Sequence, residues 1–251
     1  MTGSLTKLVI LILLAVLLAV IYHRIPFKFD YMGHIDKIWA HRVNSIEKLD
    51  YAQGRYAGIE LDLVFDEQLQ TFDVNHPPAE SIGLTLEAYF SNYDTGNHGG
   101  IWLDFKNLTA VNAESSLERL LVLTDKFQLD SNRIIVESQH PEFLGAFEQA
   151  GFKTSYYLPV FLHSLTEGLL NEKLQEIKQN IANHPTIAIS TNIVDYEIIS
   201  KHFPNKTKYL WSIDKTYTTR MFKNFFLTRK ALSDPKVEVL LVRVNRQAGH
   251  R

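Results

Sequence analysis

Eight short apolar runs recur along the chain, and this recurrence limits the fold more than any other feature. They occupy residues 37–40, 58–63, 100–105, 133–136, 153–157, 186–190, 208–212 and 237–242. Helix signals lie between them. Asn44-x-x-Glu47 and Ser164-x-x-Glu167 have capping-box spacing, Pro141 suits a first helical turn, and Gly151 suits the stop of a helix over 142–150. Strands that alternate with helices pair in parallel, because each crossover returns the chain to the same edge. Eight such units predict an α/β fold, a (β/α)8 TIM-type barrel, with a doubly wound open sheet as the competing arrangement. The second interval, 66–86, is longer and contains His76-Pro77-Pro78, which predicts a functional βα loop with a small hairpin. In a barrel of this kind the working residues sit at the C-terminal ends of the strands.

Ahead of the first run, residues 8–22 (LVILILLAVLLAVIY) are uninterrupted apolar, preceded by Lys7 and followed by His23, Arg24 and Lys28. That is the layout of an export signal or a membrane anchor. The run is short for a hydrocarbon core of about 30 Å. The small-x-small pattern of a cleavage site is missing after it, at Ala19-Val20-Ile21 and Tyr22-His23-Arg24. We therefore expect an uncleaved single-pass transmembrane helix within residues 1–27, the cleaved signal being the alternative, and one barrel domain over 28–251. A buried core helix would show a polar face, and none is present. The expected location is the membrane, with the barrel on the extracytoplasmic (periplasmic or extracellular) side.

Lys plus Arg number 26 against 28 Asp plus Glu, a formal net charge of -2. This gives no basic footprint for a polyanion and excludes nucleic acid as a partner. With no cysteine there is no disulfide, no thiolate nucleophile and no zinc-thiolate site, so a metal must be held by carboxylates or imidazoles.

The chemistry-bearing residues cluster at strand ends. The first run leads into His41-Arg42, an imidazole beside a guanidinium; such a histidine taken alone has an ordinary structural explanation. In the second run, alternation sends Glu60 and Asp62 to one side and Ile59, Leu61 and Leu63 to the other. The outer side of a parallel barrel meets apolar helices, so both acids must point inward. There they repel unless a cation lies between them. A hard divalent cation, Mg²⁺ ahead of Ca²⁺, suits oxygen ligands; on an open sheet the pair would instead be solvated. The third run places Asp104 and Lys106 on one face. His76 lies in the intervening loop, where a return strand would carry it over the mouth. Two imidazoles, three carboxylates and an ammonium suit cleavage of a phosphodiester, with charge on the phosphoryl oxygens neutralised, one histidine as base or nucleophile and the other protonating the leaving alcohol. Glu137, at the end of the fourth run, is a lesser candidate, and His163 reads as a loop residue.

These residues resemble known families. His41-Arg42, Glu60-x-Asp62 and His76 look like the signature of glycerophosphodiester phosphodiesterases. His41-Arg42-Val43-Asn44, Asp104-x-Lys106 and Trp211-Ser212-Ile213-Asp214-Lys215, with Arg220 downstream, are closer to the sphingomyelinase D branch of that barrel superfamily. Closest are the menorin-domain proteins, through Trp39-Ala40-His41-Arg42-Val43-Asn44-Ser45, His76-Pro77-Pro78 and Leu103-Asp104-Phe105-Lys106. The resemblance implies a metal-dependent phosphodiester hydrolase or lyase acting on a phospholipid or glycerophosphodiester. It makes Glu60, Asp62 and Asp104 ligands of one divalent cation and His41 and His76 the catalytic pair. Lys106, Arg42 and Trp211 become substrate contacts, the indole face of Trp211 meeting a choline-like cation. Asp214 and Lys215 could equally form a salt bridge at a helix start. The chain departs from these families at Val43, where the ordinary phosphodiesterases have Gly, and in lacking the toxin branch's cysteines. The alternative function is a catalytically silent menorin-type binding or adhesion module that keeps the pocket.

Overall fold

The computed structural model describes residues 2–24, 29–96, 99–212 and 221–244. The apolar N-terminal run forms helix α1 (Thr2–Arg24), on which the leucine, isoleucine and valine side chains from Leu5 to Leu18 are exposed. Among the described residues no helix is long and apolar enough to cross a membrane. The spanning helix expected from the sequence is therefore not carried by the structure. The run is short in physical terms: at about 1.5 Å per residue it extends about 22 Å, against a core of about 30 Å.

The strands and helices that follow alternate as the sequence pattern requires. They are β1 (Ile38–His41), α2 (Ile46–Ala52), β2 (Gly58–Asp66), β3 (Thr71–Val74), α3 (Leu86–Phe90), β4 (Gly100–Phe105), α4 (Ala113–Lys126), β5 (Ile134–Ser138), α5 (Gly145–Gln149), β6 (Lys153–Tyr157), α6 (Glu167–Ile181), β7 (Ala188–Asn192), α7 (Tyr196–His202), β8 (Lys208–Trp211), α8 (Met221–Ser233) and β9 (Val237–Arg243). The sheet runs β1-β9-β8-β7-β6-β5-β4-β2, and β1 also pairs with β2, so these eight parallel strands close into a barrel. The open-sheet alternative is excluded by that last pairing, in which Trp39 lies opposite Gly58 and Ala40 opposite Ile59. β3 is the expected hairpin arm, antiparallel to β2 with Leu63 opposite Val74.

Closure divides the apolar residues into two sets. Ile59, Leu61, Leu63, Leu103, Phe105 and Val136 belong to the large core between strands and helices. Trp102, Ile135, Ala188, Tyr209, Val239 and Leu241 form a separate cluster with Trp211, against which Trp39 and Tyr157 pack. Alternation along each strand produces this division. On β2 and β4 it sends Glu60, Asp62, Trp102 and Asp104 to the side opposite the helices.

Two helix starts differ from the capping-box signals. Ser45 caps α2, its hydroxyl accepting from Lys48 N at 3.3 Å, while Asn44 is engaged elsewhere. The N-cap of α6 is Thr166, and Ser164 lies in a 3₁₀ turn with its hydroxyl donating to Phe161 O at 2.7 Å. Pro141 opens a 3₁₀ turn ahead of α5, and Gly151, at φ 93°, follows that helix in the left-handed region glycine tolerates.

Trp39 covers Gly58 and Gly100, residues at the starts of β2 and β4. A Cβ on Gly58 would lie 2.4–2.6 Å from three indole carbons of Trp39, inside van der Waals contact, and Gly100 is as tightly covered. The two glycines are thus required by a close approach across the barrel. Gly58→Ala should lower unfolding stability by about 2 kcal/mol through overpacking, with Gly54→Ala as the comparison where no atom intrudes but φ is positive; chemical denaturation measures both.

Candidate active site

β2 contributes two carboxylates to the barrel interior, and the chain must compensate both. Glu60 and Asp62 are each 1% exposed. Asp62 is surrounded by donors. Its Oδ2 accepts from Asn44 Nδ2 at 2.6 Å and its Oδ1 lies 2.7 Å from Lys106 Nζ. Asp62 N donates to Asn44 Oδ1 at 3.0 Å, so Asn44 clasps the residue through both backbone and side chain. Asp62 O accepts from Asn75 N at 3.0 Å, which ties the His76 loop to β2. His76 Nε2 then lies 4.0 Å from Asp62 Oδ1.

Glu60 is less fully matched. Its Oε2 accepts from Arg42 N at 2.6 Å and lies 3.7 Å from His41 Nε2. Its Oε1 is buried and has no hydrogen-bond partner among the described residues. Burial, followed by the charges of Asp62 and Asp104, pushes the Glu60 carboxyl well above the usual carboxylate range. Arg42 reaches Glu60 by adopting φ 56°, a left-handed conformation costly for a residue with a side chain. The same turn lets Arg42 Nη2 donate to His76 Nε2 at 2.8 Å, and Arg42 O accepts from Lys48 Nζ at 2.8 Å.

β4 adds Asp104, opposite Asp62 in register, and Lys106 follows the strand. Lys106 Nζ contacts both Asp104 Oδ2 and Asp62 Oδ1. Burial opposes its charge, but Asp104 and Asp62 together outweigh that and hold the ammonium above the ordinary lysine range. Asp104 is itself raised by burial. The segment after Lys106 is fixed by Asn107, whose side chain accepts from Phe65 N at 2.8 Å and donates to Phe65 O at 2.9 Å.

Glu60, Asp62 and Asp104 place ligating oxygens within 4.8 Å of one another. These residues fit a hard divalent cation: all donors are oxygen, and a buried carboxylate oxygen lacks a partner. His41 is held neutral, its pKa depressed to about 4, first by burial and then by Arg42. The cavity around these groups has a volume of about 60 Å³ and brings together His41, Arg42, Glu60, Asp62, His76, Asp104, Lys106 and Trp211, all eight residues expected from the sequence.

Further residues extend that set. Asn44, which the sequence presents as a helix cap, is the clasp on Asp62. Glu137, opposite Asp104 in register, is 1% exposed and accepts from Ser155 Oγ at 3.0 Å; burial, then Asp104, raises its carboxyl well above the ordinary value. Trp102 and Tyr157 also line the cavity, with Leu241. Alternation from Asp104 would have found Trp102, since it is two residues earlier on β4. His163 lies apart from this cavity, with Nδ1 2.6 Å from buried Asp195. Asp214, Lys215 and Arg220 fall outside the described residues.

Comparison with known families follows this geometry. Residues 35–135, which carry β1 through β4 and most of the site, match the family model of the Menorin N-terminal domain. This segment is menorin-like. No curated protein matches the chain in sequence. Among solved structures, a candidate glycerophosphodiester phosphodiesterase from Galdieria sulphuraria is 16% identical with a TM-score of 0.55, covering 82% of this chain and 92% of that one. A glycerophosphodiester phosphodiesterase from Parabacteroides distasonis is 14% identical with a TM-score of 0.51, covering 82% of this chain and 91% of the other. An Oleispira antarctica phosphodiesterase, solved with the product sn-glycerol-3-phosphate, is 12% identical with a TM-score of 0.52, covering 84% and 94%. The menorin-like segment therefore sits in a barrel whose fold is shared with phosphodiesterases.

The Asn44 clasp makes a direct prediction. Asn44→Ala leaves the Asp62 carboxylate and N–H short of partners inside the barrel and should cost about 2 kcal/mol of stability, whereas Ser45→Ala, which removes only a cap, should cost about 1 kcal/mol, both read by urea unfolding.

Proposed function

We propose that the chain is a metal-dependent phosphodiesterase of the glycerophosphodiester phosphodiesterase-like class, acting as a hydrolase or lyase on a phospholipid or glycerophosphodiester. The observation that carries this reading is the convergence of three carboxylates, two imidazoles and Lys106 on one cavity at the C-terminal ends of the barrel strands. The names of the structural neighbours support the same class.

Glu60, Asp62 and Asp104 would hold the cation, Mg²⁺ ahead of Ca²⁺. When bound it supplies positive charge to the phosphoryl oxygens and to the three acids. Lys106 and Arg42 bring further positive charge to the substrate phosphate. His41, buried and neutral, keeps a lone pair for the attacking step, taking the proton of a water or of a neighbouring substrate hydroxyl, or attacking phosphorus itself. His76, nearer the opening, donates a proton to the leaving alcohol as its bond to phosphorus breaks. In the observed arrangement Arg42, which can only donate, occupies His76 Nε2. Transfer of Arg42 to a phosphoryl oxygen frees that nitrogen to take up a proton from solvent, which His76 then passes to the leaving alcohol.

His41→Asn and His76→Asn should each lower kcat for a hydrolysable diester by roughly 10²–10⁴-fold while the fold is retained. Steady-state kinetics over a panel of glycerophosphodiesters and lysophospholipids makes the measurement. Wild-type protein that binds these diesters and turns over none of them would instead support the silent binding module.

For location, we propose membrane attachment through residues 1–27, with the barrel domain, residues 28–251, on the extracytoplasmic side. The exposed apolar side chains of α1 support this. Full-length protein should partition with membranes and resist carbonate extraction; recovery in the soluble fraction would oppose it.

A further inference from the structure

A line of exposed apolar side chains runs along one side of the barrel, and the catalytic centre uses none of it. It starts beside α1. Phe29, in a 3₁₀ turn at Phe29–Tyr31, and Met32 are exposed, and both precede β1 at the end of the barrel away from the mouth. The turn packs against α8, where Arg229 donates to Asp30 O at 3.5 Å and to Met32 O. Phe226, 68% exposed, stands three and four residues before Arg229 and Lys230 and so shares their face of α8. Lys230 Nζ lies 2.5 Å from Glu197 Oε1 on α7, which places Phe226 between the turn and α7. At the mouth, α8 also packs against the turn Ile193–Asp195 that follows β7 and exposes Val194. The loop after β6 touches that same turn and exposes Val160 and Phe161.

This last loop is built to hold its aromatic outward. Phe161 is 55% exposed and has φ 64°, a left-handed backbone costly for a bulky residue. Asp195 holds the strain: fully buried, it accepts from Leu162 N at 3.2 Å and from His163 N at 2.8 Å, and His163 Nδ1 lies 2.6 Å away. Stability alone gives no reason to fix a phenyl ring in water, whereas an apolar medium that receives the ring does. Continuity decides which medium. Only residues 25–28 separate α1 from Phe29, a reach of about 17 Å even when fully extended, so the surface that receives α1 is the one these side chains meet.

We propose that the barrel lies with this side on the lipid surface that holds α1, so that the mouth opens at the bilayer and takes a diester-bearing lipid from it rather than a soluble diester. This rests on the membrane attachment and on the phosphodiesterase reading of the centre, and adds the route by which substrate arrives.

The chain has no cysteine, so a single introduced cysteine carries an environment-sensitive fluorophore to one chosen point. Full-length protein in phosphatidylcholine vesicles is labelled at Leu14→Cys on α1, at Phe161→Cys, at Phe226→Cys and at Val122→Cys, an exposed position on α4, whose strand lies opposite β8 in the barrel. Brominated lipid should quench the probes at positions 14, 161 and 226 at least about threefold more than the probe at 122. Phe161→Asp should lower turnover of vesicle-held lysophosphatidylcholine roughly tenfold and leave the slower turnover of soluble glycerophosphocholine unchanged. Quenching at position 14 but not at 161 and 226 would overturn the proposal and leave the attachment standing; no quenching at position 14 either would remove both. A probe at 161 or 226 that shifts to an apolar signal without quenching by lipid is covered by protein, a second copy included, and overturns the lipid surface. Equal loss on both diesters in Phe161→Asp would overturn the route from the bilayer. The expected quenching with no turnover of either diester would leave the docking intact and remove the phosphodiesterase reading alone.

Discussion

The structure depends on putting three carboxylates inside a closed barrel. Glu60 and Asp62 must point inward because the other side of β2 carries Ile59, Leu61 and Leu63 into the helical core. Closure places β4 beside β2 in register, and this brings Asp104 opposite Asp62. Acids so close and so dry cannot all ionise without positive charge. Lys106 supplies part of it, through Asp62 and Asp104. Glu60 Oε1 has no protein partner among the described residues, and under the proposed function a cation would meet it there.

The surrounding residues hold this arrangement rather than relieve it. Asn44 clasps Asp62 from β1's side, Asn75 bonds its carbonyl, and Asn107 pins the segment after Lys106 to Phe65. Arg42 accepts a left-handed backbone so that its N–H reaches Glu60 while its guanidinium reaches His76. A residue strained in this way at the centre of a charged cluster has its conformation set by the cluster. The bond also makes Arg42 a link between the buried acid cluster and His76. Binding of a phosphate would redistribute both.

Much of this arrangement is legible in the sequence because strands have period two. The Glu60-Leu61-Asp62 and Asp104-Phe105-Lys106 alternations are enough to place the acids inward, and the eight runs match the eight barrel strands to within about three residues at their ends. His76 is recoverable because the longer interval after β2 implies a returning strand. Asn44 is not recoverable: its spacing to Glu47 is that of a cap, and only closure of the barrel beside Asp62 reveals its other use. Trp102 lies on an apolar run that reads as core unless alternation is followed back from Asp104, while Glu137, just past the fourth run, is a lesser candidate in the sequence whose place in the cavity only closure shows. Ser164 misleads for a local reason, since a 3₁₀ turn intervenes before α6. In the N-terminal run the apolar character is plain, but length decides a span.

The central claim is that Glu60, Asp62 and Asp104 hold one divalent cation. It is tested most directly by calorimetric titration of Mg²⁺ into the full-length protein, wild type against Glu60→Gln, with circular dichroism confirming that both are folded. The account predicts one saturable site in the wild type and its loss in the variant. Absence of saturable binding to folded wild type, or equal binding by Glu60→Gln, would contradict it.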